Sequence, residues 1–248
     1  MKIAGILAAA AIGLAAPLSA QADTLNLNVT ADNAFSIYLS TDDSQVGTLI
    51  YSNVFGQSEQ WRQSFPLSAN LDATSSTYYL HVIGTNYVLA NGLWGSDGTA
   101  NGSCCNPDAF LGQLSISGSD GFVFAANGTT SLLTNSSPGQ WRGINVGDNT
   151  SWTLPTNPVQ DFGTNGGNNI WTNVNGVIGG ISTNASWIWS QPDNTQYADL
   201  STKITLSRSS TSTLETPVPA ALPLLSGGVG MIGLVVWRGR RKKAISAA

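Results

Sequence analysis

Apolar and polar residues alternate along most of the middle of this chain. "LNLNV" (25–29) and "FSIYL" (35–39) both run at period two, the pattern of a strand with one face buried. The same reading predicts strands at "WRQSFPL" (61–67), "TYYLHVIG" (77–84), "FLGQLSIS" (110–117), "GFVFA" (121–125), "ASWIWS" (185–190) and "STKITLS" (201–207). Between them lie Gly, Asn, Asp and Pro clusters, with "STDDSQVG" (40–47) a turn by composition. Residues 91–107 and 155–180, rich in Gly, Asn and Pro, read as long loops, where binding function usually sits on a β-scaffold. No helical period is sustained and no fixed-period repeat appears, which argues against a solenoid or propeller. The fold class expected for residues 23–206 is therefore all-β, a β-sandwich or jelly roll.

Both ends depart from this pattern. Lys2 precedes an apolar, alanine-rich run from Ile3 to Ala16; Pro17 breaks it, and Ala20-Gln21-Ala22 supplies small residues for a peptidase. Residues 1–22 read as a secretory signal peptide cleaved after Ala22. At the other end, a Ser/Thr-rich linker (207–215) leads into "TPVPAALPLLSGGVGMIGLVVWRGRRKK" (216–243). The 15 residues from Pro223 to Trp237 make roughly 22 Å of helix against a hydrocarbon core of about 30 Å. Gly227, Gly228, Gly230 and Gly233 weaken that helix or let it pack closely on another. Arg238, Arg240, Arg241, Lys242 and Lys243 would hold its end in the cytoplasm and leave the body outside. A span so short suits temporary tethering, with a permanent anchor as the alternative.

Charge narrows the function classes. Residues 23–215 hold all fourteen acids but only four cations, Arg62, Arg142, Lys203 and Arg208, for a net charge of −10. Nucleic-acid phosphates need clustered Lys and Arg, so nucleic acid is excluded as a partner. Ser, Thr, Asn and Gly stand where charges would otherwise be, as in exported β-proteins.

Candidate chemistry is sparse. The single histidine, His81, sits in a strand opposite Leu80 and Val82, facing solvent or a polar neighbour, with no nucleophile motif beside it. One histidine does not make a metal site of the common kind. Asp42 and Asp43, with Asp32 nearby, offer oxygen ligands for calcium; a turn that needs Asp at its corner is the competing reading. No catalytic residues, resident metal or other cofactor are expected. Cys104 and Cys105 are adjacent and alone. Neighbouring Cα atoms lie about 3.8 Å apart, below the usual disulfide span of roughly 4.4 to 6.8 Å. A strained vicinal bridge, intermolecular pairing and free thiols all stay open. Trp187 and Trp189 share a strand face and suit a core, whereas Trp94, with Asp97 close by, and Trp171 lie in the two loop-like stretches. Exposed rings flanked by amides and carboxylates would suit a sugar; rings closing loops over the core are the alternative.

Two resemblances carry the reading further. Thr216, Pro217, Val218, Pro219 and Ala220, then an apolar run and a basic cluster, resemble the Pro-Ala variant of the PEP-CTERM sorting signals. Thr216 stands where that family has valine, and no Glu lies between the prolines. The resemblance covers 216–248. It implies a Gram-negative envelope protein that passes transiently through the inner membrane and is handled by an exosortase. Such proteins are often associated with exopolysaccharide and biofilm. The pieces "ADNAFSIYLS", "WRQSFPL", "YYLHVIG", "AFLGQLSI" and "ASWIW" are loosely similar to galactose-binding-like jelly-roll modules. Together they lead us to expect a non-enzymatic cell-surface or extracellular-matrix protein that binds glycan. A structural or adhesive matrix protein without a defined ligand, and a glycan-degrading enzyme using two of the acids, are the alternatives.

Overall fold

The computed structural model describes residues 22–53, 60–86, 108–191 and 196–207. Residues 1–21 of the expected signal peptide, the expected linker beyond Ser207 and the expected sorting tail lie outside them, as does the predicted loop 91–107. Among the described residues no helix is long and apolar enough to cross a membrane.

Two antiparallel sheets pack face to face as a sandwich. In the first, β11 (Gln160–Thr164), β12 (Ser186–Trp189), β6 (Ala109–Ser117), β1 (Asp23–Asp32) and β4 (Phe65–Leu71) follow one another, and β8 (Ser131–Leu133) also pairs with β6. In the second the order is β10 (Asn157–Pro158), β9 (Arg142–Val146), β13 (Tyr197–Leu206), β5 (Thr77–Thr85), β2 (Ala34–Ser40) and β3 (Thr48–Ser52). There β7 (Phe122–Phe124) pairs with the last residues of β13.

The alternation read from the sequence is what turns each strand's apolar face inward. On β1, Leu25, Leu27 and Val29 are buried while Thr24, Asn26 and Asn28 are only partly covered. Leu80 and Val82 of β5, Leu200 and Ile204 of β13, and Phe110 and Leu114 of β6 complete the core between the sheets. Gly84 of β5 is required there: a Cβ would stand 2.4 Å from Trp189 Cη2.

Two stretches correct the expectations. Residues 155–180 are not a long loop but carry β10, β11 and the short helix α1 (Ile170–Asn175). Their Gly and Asn residues serve as turns and caps; Asn169 caps α1 by accepting from the Thr172 N–H. "WRQSFPL" is strand only from Phe65, because Gln60–Arg62 forms a 3-10 turn. α1 and the chain around it lie on the outer face of the first sheet. There Trp171, Ile178, Ile181 and Trp187 form a second apolar cluster with Ala109 and Leu111. Trp187 and Trp189, expected on one face, thus serve different clusters, and both are fully buried.

Candidate functional site

The edge strands β3 and β4, one from each sheet, leave a cleft of about 430 Å³ along the flank of the sandwich. Its inner surface is apolar: Leu39 of β2, Ile50 of β3, Ala69 of β4 and Tyr78 of β5. Leu39, Ile50 and Tyr78 also belong to the main core or pack on it, so the cleft is an opening onto that core. Ser40, Thr41, Thr48 and Asn70 supply the polar lining, the last three exposed. Tyr78 Oη is committed, donating to Asp72 O at 2.9 Å and accepting from Asp72 N at 3.0 Å. Ser40 Oγ likewise donates to Asp42 O at 2.8 Å. The side chains of Thr41, Thr48 and Asn70 have no partner among the described residues and are available to a ligand. No charged side chain among the described residues lines the cleft.

One wall is the β2–β3 turn, residues 41–47, and its shape follows from its sequence. Asp42 Oδ1 accepts from Ser44 N at 2.9 Å and Ser44 Oγ at 2.8 Å. Those two bonds hold the Asp42 carboxyl below the usual carboxylate range. Gly47 closes the turn at φ +87°, and a Cβ there would meet Leu39 O at 2.4 Å. Only glycine fits on both counts.

The turn folds back over the outer face of the second sheet. Tyr38, His81, Ser201 and Arg142 lie side by side there across β2, β5, β13 and β9. Asp43 sits over this row. It accepts from His81 Nε2 at 3.0 Å, Ser201 Oγ at 2.7 Å and Arg142 Nη2 at 2.5 Å. Its backbone carbonyl accepts from Trp152 Nε1 at 2.9 Å. Burial opposes ionisation of Asp43, but the bonds from His81 and Ser201 and the Arg142 charge outweigh it, holding the carboxyl below its ordinary value. His81 is fully buried, its ring stacked on Trp152 at 3.9 Å between centroids. It faces a polar neighbour, one of the two expectations for it. Ser, His and Asp meet here, yet both Ser201 and His81 bond the carboxylate rather than each other. Ser201 is itself only 1% exposed. The arrangement braces a turn and offers no activated nucleophile.

The residues singled out from sequence fall elsewhere. Trp94 and Asp97, Cys104 and Cys105, the motif Thr216 to Ala220 and the basic residues Arg238 to Lys243 lie outside the described residues. Trp171 does not offer an exposed ring for a sugar and takes the alternative, closing its segment over an apolar cluster. It is 1% exposed, stacked on Trp187 at 4.6 Å, and its Nε1 donates to Asp32 Oδ2 at 3.0 Å. Asp32 cannot join Asp42 and Asp43 around a calcium ion, because the seven residues of β2 separate them, roughly 23 Å of strand. Burial pushes the Asp32 carboxyl up to about 7, against the opposing bond from Trp171. Asp199 is also raised to about 7 by burial; the Thr153 N–H that it accepts at 2.6 Å opposes this and the nearby Asp148 charge adds to it. Among the described residues no group of three or more His, Cys, Asp or Glu is placed to hold a metal.

The cleft was invisible in the sequence because its pieces come from four strands and a turn. The usable signal was the turn "STDDSQVG", whose Asp43 and Gly47 fix one wall. A scan against protein-family models finds no match, and searches of curated proteins and of solved structures find none either.

Proposed function

We propose that this chain is an exported β-sandwich protein whose flank cleft binds a neutral glycan at the cell surface or in the extracellular matrix. The observation that carries the reading is the lining of the cleft. Leu39, Ile50, Ala69 and the Tyr78 ring offer an apolar surface for the C–H face of a sugar, and Thr41, Thr48 and Asn70 offer uncommitted hydroxyl and amide groups. A volume of about 430 Å³ lies within the usual range for small-ligand sites. With no cation in the described lining and a net charge of −10 over residues 23–215, a neutral sugar fits better than an anionic one. The described lining also lacks the pair of carboxyl groups that glycoside hydrolysis requires, which favours binding over degradation.

The finer reading of the fold as a jelly roll draws support from the chain's repeated crossing between sheets: consecutive strands β4 to β9 alternate between the two. Delivery rests on the two ends: a signal peptide over 1–22, and a tail resembling PEP-CTERM signals that would be handled by an exosortase after transient residence in the inner membrane.

Titration against neutral and anionic oligosaccharides, and against the polysaccharide of the producing cells, tests the reading. Saturable binding to a neutral glycan, weakened at least tenfold by Asn70→Ala with Thr48→Ala, is expected. Absence of binding to any glycan would leave the structural matrix role in its place.

A further inference from the structure

His81 holds two bonds at once, and both of its partners are acceptors. Nδ1 lies 3.1 Å from Val46 O and Nε2 lies 3.0 Å from Asp43 Oδ1. A carbonyl oxygen has no proton to give, and the bonds from His81 and Ser201 with the Arg142 charge hold the Asp43 carboxyl below its ordinary value, so that it accepts as a carboxylate. A neutral imidazole carries one N–H and would leave its second nitrogen's lone pair facing an oxygen. Only the imidazolium, with an N–H on each nitrogen, satisfies both partners. The stacked Trp152 ring, tilted by 23° at 3.9 Å, presents a π face that also favours a cation.

Both acceptors belong to the 41–47 turn, and Thr41 and Gly47 of that turn line the cleft. We propose that His81 is a proton-loaded clamp on the cleft wall: with two protons it pins the turn at Asp43 and at Val46, and on losing one it frees the Val46 end and weakens ligand binding. The second half of this proposal rests on the glycan reading of the cleft; the first does not.

The neighbouring charges decide which bond is lost. From the turn, Asp43 faces the ring directly, and Asp42 is near but tied to Ser44. From β9, Arg142 bonds the other oxygen of Asp43. On β5 itself Tyr79 stacks on His81 at 6.1 Å, and Lys203 Nζ of β13 lies 5.8 Å from the centroid of that tyrosine ring. Tyr38 is the register partner on β2. The segment carrying Trp152 brings Asp148, engaged by Thr150, and bonds Asp199 of β13 through Thr153 N. The remaining proton stays on Nε2, where the bond to the carboxylate is charge-assisted. The Nδ1 lone pair then faces Val46 O, and the repulsion falls on Val46, Gly47 and Thr48. Asp43 keeps Ser201, Arg142 and Trp152, so the turn loosens at one end without unfolding.

His81 is the only histidine, so ring signals in a ¹⁵N NMR spectrum need no assignment. Spectra recorded at intervals between about pH 5 and about pH 9 follow both ring nitrogens. Two protonated ring nitrogens are expected at the acid end. Loss of one should coincide with faster hydrogen exchange at Val46, Gly47 and Thr48, and with an approximately tenfold fall in affinity for the neutral glycan. His81→Gln, which can donate only from one end, should bind weakly at every pH. Should that variant fail to fold, the wild-type titration decides alone. A ring with one N–H throughout, or proton loss with unchanged exchange at the turn, would overturn the clamp. Glycan binding indifferent to proton loss would overturn its control of the cleft. If the turn follows the titration but no glycan binds at any pH, the ligand reading fails and the clamp stands.

Discussion

Asp32 is the residue at which burial and charge conflict most directly. Its carboxyl accepts from Trp171 Nε1 and Asn33 Nδ2, and burial raises it from 3.8 to about 7. At pH 3 the group is protonated whether the chain is folded or not. Between pH 4 and pH 7 the unfolded chain ionises while the folded one keeps its proton, so folding binds a proton and stability declines as pH rises. The decline levels off above the folded value and amounts to roughly 4 kcal/mol. An asparagine in this position would resemble the protonated acid without titrating. Asp32→Asn should therefore flatten the fall in stability between pH 4 and pH 7, measured by urea unfolding at several pH values. An unchanged slope would place its origin elsewhere, with Asp199 the next candidate. None of this was legible in the sequence. Trp171, set among Gly and Asn, read equally as an exposed ring or as one closing a loop over the core, because its partners Asp32 and Trp187 are distant in the chain. His81 was legible as an outward strand residue, but its acceptor Asp43, 38 residues away, was not.

At the scale of elements, period-two alternation located β1, β2, β5, β6 and β13 because each is long and has one face against the core. It also found the shorter β7 and β12, but missed β3, β8, β9, β10, β11 and α1. These short segments have little pattern of their own and take their form from what they pair with or cap. The outer layer shows this at Asn165, whose amide donates to Ile178 O at 3.0 Å and Ile181 O at 2.9 Å while its Oδ1 accepts from Ile178 N at 2.8 Å. All these atoms are buried, so Asn165→Ala leaves three backbone groups unpaired and should cost roughly 2–4 kcal/mol. Hydrogen exchange should rise first in residues 165–185 and leave β5 and β13 protected; equal loss of protection throughout would show that the layer does not open separately. Gly84 gives a second test within the core. Alanine there would drive into Trp189 and destabilise by roughly 1–3 kcal/mol. Trp189→Phe, destabilising by itself, should recover part of that loss in the double variant. Additive losses would mean that the two sites are not in conflict.

For the whole molecule, the alternation announced a two-sheet β-protein, but not the order of strands. Strand order depends on partners such as β1 with β6 and β5 with β13, and no local pattern encodes it. The limits of the folded body are better defined. The first strand begins at Asp23, whose side chain accepts from the N–H groups of Asp120, Gly121 and Phe122, and the last described bond runs from Ser207 N to Gly121 O. Asp23 and Ser207 thus meet at the same turn, so chain ends placed at 22 and 207 remove no described bond. A protein of residues 22–207 should unfold at the same temperature as the longer chain, within the error of calorimetry. A large drop would mean that the flanking segments contribute to the fold. The natural ends can be read directly. If the tail is a sorting signal, intact mass of the protein recovered from the producing cells will show a chain starting near Ala22 or Asp23 and ending at or near Thr216–Ala220. Recovery of a chain that still carries Arg238 to Ala248 would make the tail a lasting anchor and place the cleft at the membrane surface instead of in the matrix.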